Sequence, residues 1–119
     1  MIVSKRKDAK QFSTIPKIMN SILVSGEKVR FLLVEMEPGS VIPLHSHPHE
    51  QMGICLKGKV EFQGGEKTVV VEPDTVYVIP SNEKHGAKPI GKEKAIVLEV
   101  FSPPREDYLA MVTSNPHKG

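Results

Sequence analysis

The chain has 119 residues, of which 39% are apolar and 25% are charged, and its formal net charge is +2. This composition is that of an ordinary globular protein rather than a disordered or membrane-spanning one. Such a small charge excludes the strongly basic balance of a nucleic-acid-binding domain, and we interpret the basic run at residues 5–7 as a solvated segment. A chain of this length buries about 60–70% of its unfolded surface, so we expect one domain over residues 1–119.

Three further features of the sequence narrow the class of protein. No stretch approaches the roughly 20 apolar residues of a membrane helix. The basic residues near the N-terminus are not followed by the apolar core of a secretory signal, so we expect a cytoplasmic protein. The single cysteine, Cys55, excludes an internal disulfide, and we expect it to be a small buried side chain rather than a catalytic one.

Short β-rich segments separated by turn residues follow one another along the chain, and this pattern favours an all-β sandwich or barrel. The predicted strands are, in chain order, residues 22–24, 29–36, 52–56, 59–62, 68–71, 76–79 and 95–101. Clusters of turn-forming residues predict breaks at 25–27, 37–39, 57–58, 64–65, 72–74 and 89–91. No ten-residue stretch of the sequence has helical periodicity.

The run H-S-H-P-H-E-Q at residues 45–51 carries the first chemical signal. Pro43 and Pro48 favour extended backbone on either side of the first two histidines. In extended backbone His45 and His47 share one face, and a rise of about 3.3 Å per residue places their imidazoles within reach of one ion. The sequence therefore predicts a metal site here.

A straight strand would carry Gln51 too far from His45 to share that ion, so the chain must bend. We predict the bend at residues 48–50, which returns Gln51 toward the histidines as a third ligand. Glu50 is the alternative ligand if the turn is one residue tighter. His49 is a residue that supports a metal ligand, a substrate contact or an exposed turn residue.

His85 is the fourth ligand candidate, because it follows the predicted strand at 76–79 and a turn that contains Pro80 and Asn82. The ligands would then come from separate strands. His117, near the end of the chain, is expected at the surface. Imidazole ligands suit Zn, Ni, Cu or Fe, and an amide oxygen keeps Mn possible.

Two motifs in order carry a resemblance. G-x5-H-x-H-x3-Q-x6-G begins at Gly39 and D-x5-P-x-N-x2-H begins at Asp74, and together they resemble the two motifs of the cupin superfamily. The resemblance implies a double-stranded β-helix, which is a jelly-roll barrel. The family usually has Glu at Gln51, Gly at Asp74 and Asn82, and Asn at Pro89. Asp and Asn tolerate left-handed backbone, so the turns can survive, but Gln in place of Glu alters the ligand chemistry.

Within the cupins, the chain resembles the small pectin-degradation type in the run at 45–51 and in F-S-P-P-R-E-D-Y at 101–108. That type also uses Gln as a metal ligand. The resemblance covers residues 39–108 and places the barrel core at about 29–105. It implies a single-domain enzyme that converts ring-form 4,5-unsaturated uronates into linear keto sugars, commonly as a homodimer.

The last predicted strand places Glu99 among inward-facing apolar neighbours, where an ionisable residue indicates function. The resemblance implies an acid, a phenylalanine and an arginine at Glu99, Phe101 and Arg105. We expect Glu99 to transfer a proton, Arg105 to clamp the uronate carboxylate, and Phe101 to form a wall of the pocket. The family acid is usually Asp, one methylene shorter. The structural alternatives are a paired buried acid, a solvated loop cation and a core aromatic residue.

Three imidazoles and one amide leave the charge of a divalent ion uncompensated, which favours Lewis-acid isomerisation or hydrolysis over oxygenase chemistry. The leading hypothesis is therefore a metal-dependent uronate ring-opening enzyme with Zn, Ni, Mn, Fe or Cu. A cupin dioxygenase or other small-molecule metalloenzyme is the first alternative, and a non-catalytic sugar-binding or sensory cupin is the second. We expect a sugar acid as substrate, no nucleic-acid or membrane partner, and a homodimer that covers the apolar outer residues Ile96, Leu98 and Val100.

Overall fold

The computed structural model describes residues 1–104, which form ten β-strands and one short 3₁₀ helix, Arg6–Asp8. The strands are β1 (Lys10–Phe12), β2 (Ile18–Ser25), β3 (Arg30–Met36), β4 (Ile42–His45), β5 (Glu50–Lys57), β6 (Lys59–Gly64), β7 (Lys67–Val71), β8 (Val76–Ile79), β9 (His85–Ile90) and β10 (Ala95–Ser102). Over these same residues, no helix has the length and apolar character needed to cross a membrane.

The strands form two antiparallel sheets. The larger has the order β1-β2-β3-β10-β5-β8, and the smaller has the order β4-β9-β6-β7. Apolar residues from the inner faces of both sheets form one buried cluster, to which Leu32 and Val97 contribute from the larger sheet and Val60 from the smaller. The prediction of an all-β jelly-roll barrel is confirmed.

Alternation along β10 determines which residues face the interior. Ala95, Val97, Glu99 and Phe101 are buried, whereas the residues between them are half-buried. Because β10 pairs with β3 on one side and β5 on the other, its inward residues lie at the centre of the larger sheet. The predicted inward position of Glu99 is confirmed.

All seven predicted strands occur, with bounds that differ by a few residues. Strands β1 and β9 were not predicted, whereas β4 was predicted as extended backbone from the prolines that flank its histidine. The predicted break at 89–91 is wrong at its start, because Pro89 and Ile90 belong to β9. The pairing of β9 with β4 ends at Ala87, so among residues 1–104 Pro89 has a strand partner only in β6. Such an edge-like position tolerates the missing amide.

Two turns have the left-handed backbone expected from the sequence. Asp74 has a φ of 72° and Asn82 a φ of 66°, at the positions where cupins usually have glycine. The backbone N–H of Asn82 donates a hydrogen bond of 2.8 Å to the carbonyl oxygen of His47. The turn between β8 and β9 therefore fixes the loop that carries one of the predicted metal ligands.

Candidate metal centre

Three histidines from separate segments converge on one point of the barrel interior. His45 is the last residue of β4, His85 is the first of β9, and the two face each other in the strand pairing. His47 lies in the loop after β4, and its ring centroid is 5.6 Å from that of His45 and 4.9 Å from that of His85. One nitrogen from each ring lies within 4.8 Å of the others. Metal–nitrogen bonds of about 2.0–2.1 Å fit this spacing after the three rings move slightly toward one another.

Backbone carbonyl groups fix the orientation of each imidazole. The Nδ1 atoms of His45 and His85 lie 2.9 Å from the carbonyl oxygens of Pro43 and Glu83, and that of His47 lies 3.0 Å from the carbonyl oxygen of His49. A protonated Nδ1 that donates to a carbonyl leaves the lone pair on Nε2. All three rings are thereby held in the tautomer that binds a metal through Nε2.

Gln51 adds an oxygen donor to this cluster. The chain bends at residues 48–49, within the predicted bend, and β5 begins at Glu50, one residue earlier than predicted, so that Gln51 is buried inside while Glu50 is exposed. Gln51 Oε1 lies 3.2 Å from His47 Nε2. Both atoms carry lone pairs when Nδ1 of His47 is protonated, and a cation between them would turn their repulsion into shared coordination. The three histidines and Gln51 therefore fit a divalent metal ion.

Glu99 lies directly behind Gln51 and is buried. Its Oε2 accepts a hydrogen bond from Gln51 Nε2 and another, of 2.8 Å, from the Tyr77 hydroxyl. Burial, followed by the negative charge of Glu99, raises the pKa of Tyr77, so its hydroxyl remains a donor. The carboxylate of the site is therefore hydrogen-bonded to a predicted metal ligand, Gln51, and is not itself one of the predicted ligands.

Phe101 and His49 flank the cluster. Phe101 is buried, and its ring centroid lies 5.9 Å from that of His47. His49 is half-buried with its ring 5.4 Å from His47. Arg105, the predicted carboxylate clamp, lies outside the described residues.

A cavity of about 250 Å³ opens onto the cluster, and His45, Gln51, His85, Glu99 and Phe101 line it. A cavity of about 150 Å³ holds a benzene ring, so this one accommodates a single substituted six-membered ring. Most of the remaining lining is apolar and includes Ile15, Ile18, Leu32, Val34, Phe62 and Val97. Among residues 1–104, neither a lysine nor an arginine lines it.

Cys55 takes no part in this cavity. It has no exposed surface, and burial raises the pKa of its thiol, which keeps it protonated. Its Sγ lies 3.5 Å from the carbonyl oxygens of Lys57 and Gly58. These surroundings agree with the small buried side chain expected from the sequence.

Tyr77 and Gly53 belong to the site but were not identified from the sequence. Tyr77 has the same strand parity as buried Ile79, which placed it on the inner face. Gly53 interrupts a β-rich segment, and a glycine inside a strand marks a close approach of another group. Both signals were present in the sequence, but nothing in it showed that these two residues meet.

Comparisons with known proteins agree with this architecture. The structure of KdgF from Halomonas sp. superposes with a TM-score of 0.83 at 23% identity, covering 91% of this chain and 98% of that one. The polyketide cyclase RemF from Streptomyces resistomycificus superposes with a TM-score of 0.77 at 21% identity, covering 88% of this chain and 81% of that one. These TM-scores show a shared fold, and at such low sequence identity they show the fold alone.

A sequence relative is the L-ectoine synthase of Vibrio campbellii, 26% identical over 76 residues, which are 62% of this chain and 59% of the synthase. The chain spans about three fifths of the length of the curated relatives it matches. The cupin domain profile matches residues 32–101, which include both histidine motifs and the strand that carries Glu99. Because this match covers more than half of the chain, the protein belongs to the cupin domain family.

Proposed function

We propose that this cupin is a metal-dependent enzyme that converts 4,5-unsaturated uronates into linear keto sugars. The observation that carries the proposal is the cluster of His45, His47, His85 and Gln51 beside one cavity that a buried carboxylate, Glu99, also lines. The resemblance of residues 45–51 to uronate ring-opening cupins supports this choice of substrate. The cavity volume supports a monosaccharide rather than an oligosaccharide.

The reaction is an isomerisation and needs no co-reactant. The anomeric hydroxyl loses a proton, the bond between the anomeric carbon and the ring oxygen breaks, and the resulting enol gains a proton at its alkene carbon to become a ketone. His45, His47, His85 and Gln51 would hold a divalent ion, which would supply Lewis-acid stabilisation of the developing oxygen charge. Zn, Ni, Mn, Fe and Cu are all compatible with this ligand set.

The side chains provide the proton transfer and the positioning. Glu99 takes the hydroxyl proton and returns a proton to carbon, because it lines the cavity and is oriented by Tyr77 and Gln51. Phe101 forms an apolar wall that excludes water from the enol. Arg105 binds the uronate carboxylate through its guanidinium group.

The test is the loss of absorbance at the conjugated-alkene band of a purified unsaturated galacturonate, compared with its spontaneous rate. Metal-loaded protein is expected to accelerate the loss, and chelator-treated protein is not. Glu99→Gln, assayed at saturating metal with metal per chain measured, is expected to lower turnover about 100-fold or more. Val69→Lys, an exposed change in β7, serves as the control with unchanged turnover. No acceleration by fully loaded wild-type protein would reject this function and favour a binding or sensory role.

One observation favours a second function, that of a metalloenzyme acting on a less polar molecule. The cavity lining is mostly apolar and contains no cation from the described residues, although every buried sugar hydroxyl needs a hydrogen-bond partner. An aromatic or cyclic ketone would match this lining better. Comparing the affinity of the loaded protein for such a ketone and for a saturated uronate distinguishes the two, because a uronate site must bind the uronate more tightly.

The proposed assembly is a homodimer formed through the outer face of the larger sheet. Two adjacent rows of outward residues there are apolar, Phe31-Val100-Met52-Val78 and Leu98-Ile54-Val76 in register order. Phe31, Met52, Val76 and Val78 are all more than 40% exposed. Such a patch on a single chain is typical of an interface. Light scattering is expected to give a dimer for wild type and for Val69→Lys, and a monomer for Val78→Lys.

A further inference from the structure

Tyr77, Gly53 and Glu99 occupy one row across three neighbouring strands. In the strand pairing Gly53 on β5 is opposite Glu99 on β10, and on its other side it is opposite Tyr77 on β8. All three positions point into the barrel. The row therefore has a side chain at each end and none in the middle.

The missing side chain at Gly53 lets the two ends of the row meet. A Cβ atom at this position would lie 2.6 Å from the Tyr77 hydroxyl oxygen and 2.7 Å from its Cζ, closer than real Cβ contacts allow. Adjacent strands are about 4.8 Å apart, so a phenol is long enough to pass over β5 and reach β10. The resulting hydrogen bond from Tyr77 to Glu99 Oε2 measures 2.8 Å.

The same Glu99 oxygen determines which end of the Gln51 amide faces the histidines. Gln51 lies two residues before Gly53 on the same face, diagonal to Glu99. Glu99 Oε2 accepts hydrogen bonds from the Tyr77 hydroxyl and from the NH₂ end of the Gln51 amide, which leaves Gln51 Oε1 directed at His47. With the amide reversed, two N–H donors would face the ion and oppose its binding.

We infer that Tyr77 is a positioning residue for the metal centre, which acts through Glu99 to hold the Gln51 amide oxygen toward His45, His47 and His85. The inference rests on the metal site of the proposed function, but not on its substrate. Tyr77 anchors the Glu99 oxygen that receives the Gln51 amide, and its phenol ring is held against Phe62 with centroids 4.6 Å apart. Burial raises the pKa of Tyr77, so it donates over the whole working pH range.

The test is a double-mutant cycle on metal affinity. Tyr77→Phe keeps the ring and removes only the hydroxyl, and the Kd for Zn²⁺ or Co²⁺ is measured by competition with a chromophoric chelator. Loss of a group that orients a ligand typically weakens metal binding about 10- to 100-fold, and we expect a change at the lower end of that range. In a Gln51→Ala background the same substitution is expected to have no further effect, because Tyr77 acts through Gln51.

Two more variants separate positioning from packing. Val60→Ala disturbs the packing of the apolar cluster but leaves Tyr77 and its hydroxyl unchanged, and it is expected to leave the Kd within about twofold of wild type. Glu99→Gln offers an amide that can donate to Gln51 Oε1 as readily as it accepts, and it is expected to weaken metal binding at least as much as Tyr77→Phe. This second variant decides the question if Tyr77→Phe does not fold.

The outcomes are distinguishable from those of the substrate proposal. An unchanged Kd in Tyr77→Phe, or the same loss with and without Gln51, would overturn the inference even if the wild-type protein opens uronates. Weaker binding that disappears in the Gln51→Ala background supports it even if no uronate is turned over. The visible absorption of the Co²⁺ protein provides a second readout, because Tyr77→Phe and Gln51→Ala are expected to change the same bands.

Discussion

Cys55 and Gln51 lie four residues apart on the inner face of the same strand, yet they belong to opposite kinds of interior. Cys55 packs with Val60 and Val97 in the apolar cluster. Gln51 contacts the histidines on one side and Glu99 on the other. In the apolar half, each side chain stabilises the fold by removing surface from water. In the polar half, the groups tolerate burial because they hydrogen-bond one another, which fixes their orientation for an ion.

The strongest way to separate the two halves is to remove a metal ligand. His47→Ala is expected to weaken metal binding roughly 100-fold or more, because the binding free energy of a structural zinc site is shared among about four ligands. The measurement is metal per chain after dialysis, with the Kd from chelator competition. The β-type circular dichroism spectrum is expected to persist, since His47 lies in a loop after β4.

His117→Ala is the matched control, because it makes the same change at a histidine predicted to lie at the surface. It is expected to retain the wild-type metal content. If His47→Ala retained it as well, the ligand set proposed for this site would be wrong.

The reverse experiment truncates the apolar half. Val60 has no exposed surface, and Val60→Ala removes two carbon atoms and leaves a small cavity. The free energy of unfolding of the metal-free protein is expected to fall by about 2 kcal/mol, measured by urea denaturation. The metal Kd is expected to stay within about twofold. Val69→Ala, at an exposed valine in the same sheet, should change stability by less than about 0.5 kcal/mol, and a lower metal affinity in Val60→Ala would show that the halves are coupled.

The apolar half and the histidines were the parts predictable from sequence. Alternating apolar residues located seven strands, and the placement of Glu99 followed from its position among the buried residues of β10. Tyr77 could not be predicted, because its role depends on the pairing of β8 with β5 and of β5 with β10. Pairing between strands distant in sequence depends on the whole topology, which periodicity does not reveal. Pro89 misled for the same reason, since a proline is a break or a strand residue according to its neighbours.

The turn at Asn82 affects both halves, and a substitution there is expected to change stability and metal binding by smaller amounts. Its φ of 66° is strained for a β-branched residue, so Asn82→Val is expected to lower stability by about 1–2 kcal/mol. Asn82→Val should also weaken metal binding, because a shift of the backbone at residue 82 would move the N–H group that donates to the carbonyl oxygen of His47. Asn82→Gly suits the same backbone and is expected to stay close to wild type in both measurements. Equal stability of the valine and glycine variants in urea would contradict this account of the turn.

Glu35 gives the smallest effect and sharpens the contrast with Glu99, because it is a carboxylate paired near the surface rather than inside. Lys94 donates to it at 2.9 Å and Arg6 lies 3.4 Å away. The hydrogen bond from Lys94, followed by the positive charges of Lys94 and Arg6, holds the pKa of Glu35 below its ordinary value of 4.5 although partial burial opposes this. Such a group stabilises the folded chain above the unfolded pKa, and the contribution is lost as pH falls through the lower folded pKa.

Glu35→Gln is therefore expected to be slightly less stable than wild type at neutral pH, and the difference should shrink as the pH falls below 4.5. Urea denaturation of both proteins across this range measures the difference in stability. Added salt should reduce that difference because Lys94 is partly exposed to solvent. If the stability difference between the two proteins grew on acidification, the ionised form of Glu35 would destabilise the folded chain, contrary to this account. The metal Kd should be the same in both proteins at neutral pH, because neither Glu35 nor Lys94 lines the cavity that Glu99 shares with His45 and His85.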